Sequence, residues 1–126
     1  MKILVVDDEM DIVEELCSFL TRRGHQVIGA GSVDQACAAL DGTTGFDVVV
    51  TDMRMPPRSG VEVVSACSRL AAPPAVLLMT GQATASDVTA AMSAGARSVI
   101  WKPLSLRNIV EALAAVAQPA AASAAT

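Results

Sequence analysis

No stretch of this 126-residue chain approaches the roughly 18 to 20 apolar residues of a membrane span, and Met1-Lys2-Ile3 runs straight into strand-like sequence rather than a signal peptide. The expectation is a cytoplasmic domain with no membrane contact. There is no Lys/Arg cluster either, and the net charge is −4. Nucleic-acid affinity comes mainly from phosphate neutralisation, so no direct nucleic acid contact by this domain is expected. Cysteine is scarce and odd in number. Cys17, Cys37 and Cys67 each fall inside a helical apolar pattern and read as small hydrophobes, which argues against disulfide, metal or nucleophile chemistry. The single histidine, His25, precedes a strand with no ligand cluster beside it and reads as a loop residue.

What the chain does have is apolar side chain, 52% of residues with a mean hydropathy of +0.48. That balance excludes disorder, and the length suits one domain with a real core. Strand-like and helix-like patterns alternate. After the apolar run Ile3 to Val6, the segment Met10 to Arg23 puts Ile12, Val13, Leu16, Phe19 and Leu20 on one helical face, and Gly24 stops it. Gln26 to Ala30 is a short strand, and Ser32 opens a helix to Leu40 with Gln35 completing a capping-box pattern. A turn at Asp41 to Gly45 leads to the strand Val48 to Asp52, and Met53 to Gly60, with Pro56 and Pro57, reads as a loop. Val61, Val64, Cys67 and Leu70 then recur helically until Pro73-Pro74 breaks the helix. Ala75 to Met79 is a strand, Thr84 to Ala94 a helix capped by Thr84 and Asp87, Arg97 to Trp101 the last strand, and Ser105 to about Ala117 the last helix. Apolar strands alternating with helices predict an α/β fold, a doubly wound five-stranded parallel sheet with five helices covering both faces. Residues 1–117 form that domain, and the Ala-rich 118–126 reads as a tail or truncated linker.

Such sheets bind ligands beyond the carboxyl ends of their strands, and the polar residues fall there. Asp7 and Asp8 end the first strand, Asp52 the third, Thr80 the fourth, and Lys102, followed by Pro103, the fifth. Carboxylates brought within a few ångströms destabilise one another unless a cation sits among them, and Mg²⁺ prefers such oxygen ligands. Carboxylates, a hydroxyl and an ammonium at successive strand ends suit metal-assisted phosphoryl chemistry. Each residue also has a blander reading: Asp7 or Asp8 as a cap of the next helix, Lys102 as a solvated lysine, Thr80 as a turn hydroxyl. Their joint occurrence favours the site.

These residues resemble the receiver domain of two-component response regulators over 1 to about 117, a resemblance that implies a flavodoxin-like sheet of strand order 2-1-3-4-5. Val5-Val6-Asp7-Asp8-Glu9 is similar to the acidic pocket of that family, and Asp52-Met53-Arg54-Met55-Pro56 with Ser59-Gly60 to its phosphoacceptor strand and loop. Met79-Thr80-Gly81 resembles the switch hydroxyl, and Lys102-Pro103 the family lysine. The stretch Met79 to Gln82, with Ala91-Met92 and Gly95-Ala96, resembles receivers of nitrogen-fixation or nitrogen-regulation type transcription factors. The resemblance implies that Asp52 takes a phosphoryl group from the phosphohistidine of a sensor histidine kinase or phosphotransfer protein. It further implies that Mg²⁺ is held by Asp8, Asp52, the backbone carbonyl of Arg54 and, through water, Asp7. Thr80 and Lys102 would meet phosphoryl oxygens, with backbone N–H groups of Met53 and Gly81. Phosphorylation would alter the surface built from 84–94, 97–101 and 105–117, and homodimer formation is a possible readout.

One departure stands out. The family commonly carries Tyr or Phe three residues before the lysine; here that switch position is Val99, there is no tyrosine, and the sole tryptophan is Trp101. Alternation puts Val99 and Trp101 on one side of the sheet. Two readings stand: Trp101 replaces the moving ring, or it packs under the last helix. An enzymatic alternative is a small Mg²⁺-dependent aspartyl-phosphate phosphatase, but haloacid-dehalogenase-type enzymes carry Asp-x-Asp after the first strand, whereas Asp7 and Asp8 are adjacent and the best nucleophile is on the third. A flavin module is disfavoured because no Ser/Thr-rich phosphate loop follows the first strand.

Overall fold

The structure, a computed structural model, describes residues 1–82, 84–103 and 105–117; the segment 118–126 lies outside them. Five parallel strands, β1 (Lys2–Val6), β2 (Gln26–Ala30), β3 (Val48–Asp52), β6 (Ala75–Thr80) and β7 (Ser98–Trp101), form one sheet in the order β2-β1-β3-β6-β7. In chain order of the sheet strands this is 2-1-3-4-5, as the family resemblance implied. The helices are α1 (Met10–Arg22), α2 (Val33–Gly42), α3 (Gly60–Ser68), α4 (Ala85–Ala94) and α5 (Leu106–Ala117).

Strand alternation divides the core between two layers. Ile3, Val5, Val48, Val50, Leu77, Met79 and Ile100 point toward α1 and α5, where Leu16, Leu20, Ile109 and Leu113 meet them. Leu4, Val6, Val49, Val76 and Leu78 point the other way, onto Val33 and Ala36 of α2, Val63, Val64 and Cys67 of α3, and Ala91 of α4. Both faces are dry, so the central strands have no polar alternation. All three free cysteines pack against the core layers, and burial pushes the Cys67 thiol up to about 12 and raises Cys17.

Helix ends follow local chemistry with two revisions. The α4 box is formed as expected, with Thr84 Oγ1 accepting from the Asp87 N–H and Asp87 from the Thr84 N–H. At α2 the Gln35 N–H donates to Ser32 Oγ, but the Gln35 side chain reaches back to the Gly31 N–H at 2.7 Å, one residue earlier than a box requires. The second complete box is Ser59–Glu62, at α3.

The segment 53–60 is more than a loop. Arg54–Met55 (β4) and Arg58–Ser59 (β5) pair antiparallel around Pro56-Pro57, whose peptide is cis. Gly60 then returns against the end of β3. A Cβ there would lie 2.1 Å from the Asp52 carbonyl oxygen, a contact no side chain can make, so glycine is required by close approach.

Trp101 departs from one of its two readings. Val99 packs with the α2–α4 layer, whereas α5 covers the opposite, Ile100 face. Trp101 shares the side of Val99 and is 53% exposed, so it does not pack under the last helix.

Candidate functional site

Register brings the polar residues together. Val6 pairs with Thr51, Asp52 with Met79, and Thr80 with Trp101, so Asp7, Asp52, Thr80 and Lys102 all lie at or within two residues of one sheet edge. Asp7 and Asp52 share parity with the α1/α5 face, Thr80 with the α3/α4 face.

The carboxylates of Asp7, Asp8 and Asp52 converge, with one oxygen from each lying within 4.8 Å of the others. Asp7 is fully buried, Asp52 nearly so, and Asp8 faces solvent. Asp7 is not a cap of α1: Oδ1 accepts the N–H of Glu9, the residue preceding the helix, at 2.9 Å, and Oδ2 accepts from Lys102 Nζ at 3.0 Å. Lys102 is likewise no solvated lysine. Its Nζ also lies 3.4 Å from Asp52 Oδ2 and 3.7 Å from Glu9 Oε1, a third partner that the strand-end pattern did not single out. Burial pulls the lysine's pKa down, but its bond to Asp7 and the charges of Asp52 and Asp7 outweigh this and hold it above the ordinary value. Burial and then the Asp7 charge push the Asp52 carboxyl up, against the opposing pull of Lys102 and the Arg54 N–H.

Three carboxylates facing one ammonium leave an excess of negative charge supplied only by oxygen donors. That set fits a hard divalent cation, which would relieve the Asp7–Asp52 repulsion.

The backbone donors differ from expectation. The Met53 N–H is taken by the Met79 carbonyl at 3.0 Å as the β3–β6 ladder continues, so it is not free for a ligand in this state. The Arg54 N–H instead faces the acceptor carboxylate, 3.4 Å from Asp52 Oδ1. Thr80 is 1% exposed, and its hydroxyl closes a small turn, donating to the Gln82 carbonyl at 2.9 Å and accepting the Gln82 N–H at 3.2 Å. Gly81 stands beside Lys102, where an added Cβ would lie 3.6 Å from the lysine Cβ. His25 is far from this edge, receiving the N-terminal ammonium at Nδ1.

Among the described residues no helix is long and apolar enough to cross a membrane. The chain matches a family model described as the response regulator receiver domain over residues 3–114. It is 32% identical over 118 residues to the transcriptional regulatory protein TcrA of Mycobacterium tuberculosis, covering 94% of this chain and 46% of that protein. A response regulator receiver protein of an Anaeromyxobacter species is 34% identical over 108 residues, covering 86% and 45%. The chain thus spans about half the length of the curated relatives it matches. Among solved structures, chemotaxis protein CheY4 of Vibrio cholerae superposes with a TM-score of 0.85 at 26% identity, covering 91% of this chain and 97% of that one. FixJ-N superposes with a TM-score of 0.79 at 31% identity, covering 91% of each.

Proposed function

The chain belongs to the response regulator receiver domain family, the signalling switches of two-component systems, and on that premise we propose that Asp52 is its phosphoacceptor. The observation that carries this is the convergence of Asp7, Asp8 and Asp52 on one edge with Lys102 bonded into them.

In the proposed reaction an Asp52 carboxylate oxygen attacks the phosphorus of a phosphohistidine on a sensor histidine kinase or phosphotransfer protein. The P–N bond breaks with its electron pair leaving on the imidazole, and an acyl phosphate remains on Asp52. Asp8, Asp52, the Arg54 carbonyl and, through water, Asp7 would hold Mg²⁺, which supplies charge neutralisation for the phosphoryl oxygens. Lys102 meets one oxygen, the Thr80 hydroxyl a second once it leaves Gln82, and the Arg54 and Gly81 N–H groups complete the donors. The chain assists its own phosphorylation and dephosphorylation and is not a phosphatase acting on other substrates.

For the donor, a cleft of about 190 Å³ lies beside Lys102, lined by Ile12, Glu15, Leu16, Pro103 and Leu106. Its mainly apolar walls suit a helical partner carrying the phosphohistidine. For the output, α4 buries only Ala91 fully and leaves Met92 exposed, and Trp101 is exposed as well, a surface poor in charge that suits a partner or a second copy upon phosphorylation. We place the protein in the cytoplasm, where histidine kinases present their phosphoryl donors.

Acetyl phosphate with Mg²⁺ should add one acid-labile phosphoryl group, and Asp52→Asn should abolish it. Labelling of that variant at the unsubstituted level would refute the assignment.

A further inference from the structure

Thr80 has one hydroxyl proton, and Gln82 holds it. The carbonyl that accepts this proton at 2.9 Å also accepts the Nε–H of Arg54 at 3.2 Å. Arg54 comes from the β4–β5 hairpin, and its own N–H faces the Asp52 carboxylate at 3.4 Å. Two segments that are distant in sequence, the hairpin after the acceptor strand and the turn after β6, therefore meet at a single carbonyl oxygen. Arg54 and Asp87, the latter in the first turn of α4, line one cleft.

We propose that Arg54 is a positioning residue for Thr80: its guanidinium pins the Gln82 carbonyl and thereby keeps the Thr80 hydroxyl inside its own turn in the unphosphorylated state. The inference rests on the reading of Asp52 as phosphoacceptor. A phosphoryl oxygen can receive the Thr80 proton only if the bond to Gln82 breaks, because a hydroxyl donates one proton. The Gln82 N–H, which donates to the same hydroxyl at 3.2 Å, holds it from the other side. With Arg54 in place the turn cannot drift, since the carbonyl is fixed from outside by a charged donor. Without Arg54 the exposed carbonyl is served by water, the turn loosens, and the hydroxyl is freer to swing. Arg54 thus acts against the switch, and through Thr80 alone.

The two possible effects of Arg54 have opposite signs. As a nearby cation it would attract an anion on Asp52, so its removal would weaken anion binding whether or not Thr80 is present. As the pin it opposes binding, so its removal strengthens binding only where Thr80 can respond.

A double-mutant cycle read by calorimetric titration of beryllofluoride in excess Mg²⁺ separates them. Arg54→Ala should raise beryllofluoride affinity by roughly threefold to tenfold, the scale of one ordinary net hydrogen bond. The same substitution in a Thr80→Ala background should change nothing, and Arg54→Lys, which keeps a cationic donor of different reach, should fall between. The main-chain groups of residue 54 are retained in every variant, and a thermal melt of each establishes that it is folded. An equal change in both backgrounds, a fall in affinity, or no change on Arg54→Ala overturns the pin. Failure of the unsubstituted chain to bind beryllofluoride, with Asp52→Asn indistinguishable from it, overturns the phosphoacceptor reading itself.

Discussion

Lys102 is bonded more closely to Asp7 than to Asp52: its Nζ lies 3.0 Å from Asp7 Oδ2 and 3.4 Å from Asp52 Oδ2. Asp7 has no exposure at all, so before any ligand arrives the ammonium compensates a buried charge. Removing one partner of a buried pair costs about 3–5 kcal/mol, and partial solvation at the sheet edge puts Lys102→Ala at the low end, about 3 kcal/mol. Urea unfolding should show this loss without Mg²⁺. The double variant Asp7→Asn, Lys102→Ala should recover part of it, and a loss unchanged in that background would mean the pair is not its source.

The pKa of Asp52 gives a pH dependence with a definite sign. Burial first, and Asp7 second, raise it above the ordinary value of 3.8. The native state therefore holds this proton more tightly than the unfolded chain, and between 3.8 and the raised value stability falls as pH rises. If Asp52 is the phosphoacceptor it must be ionised to attack, so acetyl phosphate labelling should fail on acidification at a pH above the usual aspartate range. Asp52→Asn, which removes the charge, should raise the melting temperature by a few degrees, the scale of roughly 1 kcal/mol in a small domain.

Metal should relieve the same repulsion. Mg²⁺ binding to the native state should stabilise the chain by about 2.7 kcal/mol at a hundredfold excess over its dissociation constant. Asp8 is the exposed member of the carboxylate cluster, so Asp8→Ala should remove this response without disturbing the core. A thermal shift by Mg²⁺ persisting in Asp8→Ala would show that the cation binds elsewhere.

Gly60 is the tightest steric constraint beside Asp52, because its Cβ would meet the Asp52 carbonyl oxygen at 2.1 Å. Gly60→Ala should displace the end of β3 or the hairpin at a cost of about 1–3 kcal/mol. Labelling of Asp52 should slow alongside. A variant with unchanged stability and labelling would mean that the hairpin gives way freely.

Trp101 is the register partner of Thr80 on the neighbouring strand and is 53% exposed. Its resting emission should be that of a solvated indole and readily quenched by acrylamide. If it substitutes for an aromatic at Val99, Mg²⁺ with beryllofluoride should shift the emission to the blue and protect the ring, and Thr80→Ala should abolish the shift while ligand still binds. Identical emission and quenching at saturating ligand would remove Trp101 from the switch.

The candidate site was legible in the sequence because its residues sit at strand ends, where an apolar run simply stops at a polar side chain. Parallel pairing then brings the ends of successive strands to one edge, so Asp7, Asp8, Asp52 and Lys102 needed no knowledge of distant contacts. The Met53 N–H was misjudged for the converse reason. Local sequence cannot say that the β3–β6 ladder continues one residue further and takes that donor.

The sequence by itself determined the α/β class and the polar residues at the strand ends, since hydrophobic period and strand termini are local properties repeated along the chain, whereas the strand order came only with the family resemblance and the fold. It could not show the β4–β5 hairpin, because strands of two residues carry no period. Alternation placed Val99 and Trp101 on one side, but which helices cover that side is decided by the crossovers, and these put α5 on the other face and left Trp101 in solvent. The link from Arg54 through Gln82 to Thr80 spans 28 residues between its ends at the guanidinium and the carbonyl. Only the folded chain decides such a contact, because it depends on two surface segments being held at hydrogen-bond distance by a sheet to which neither side chain belongs as core.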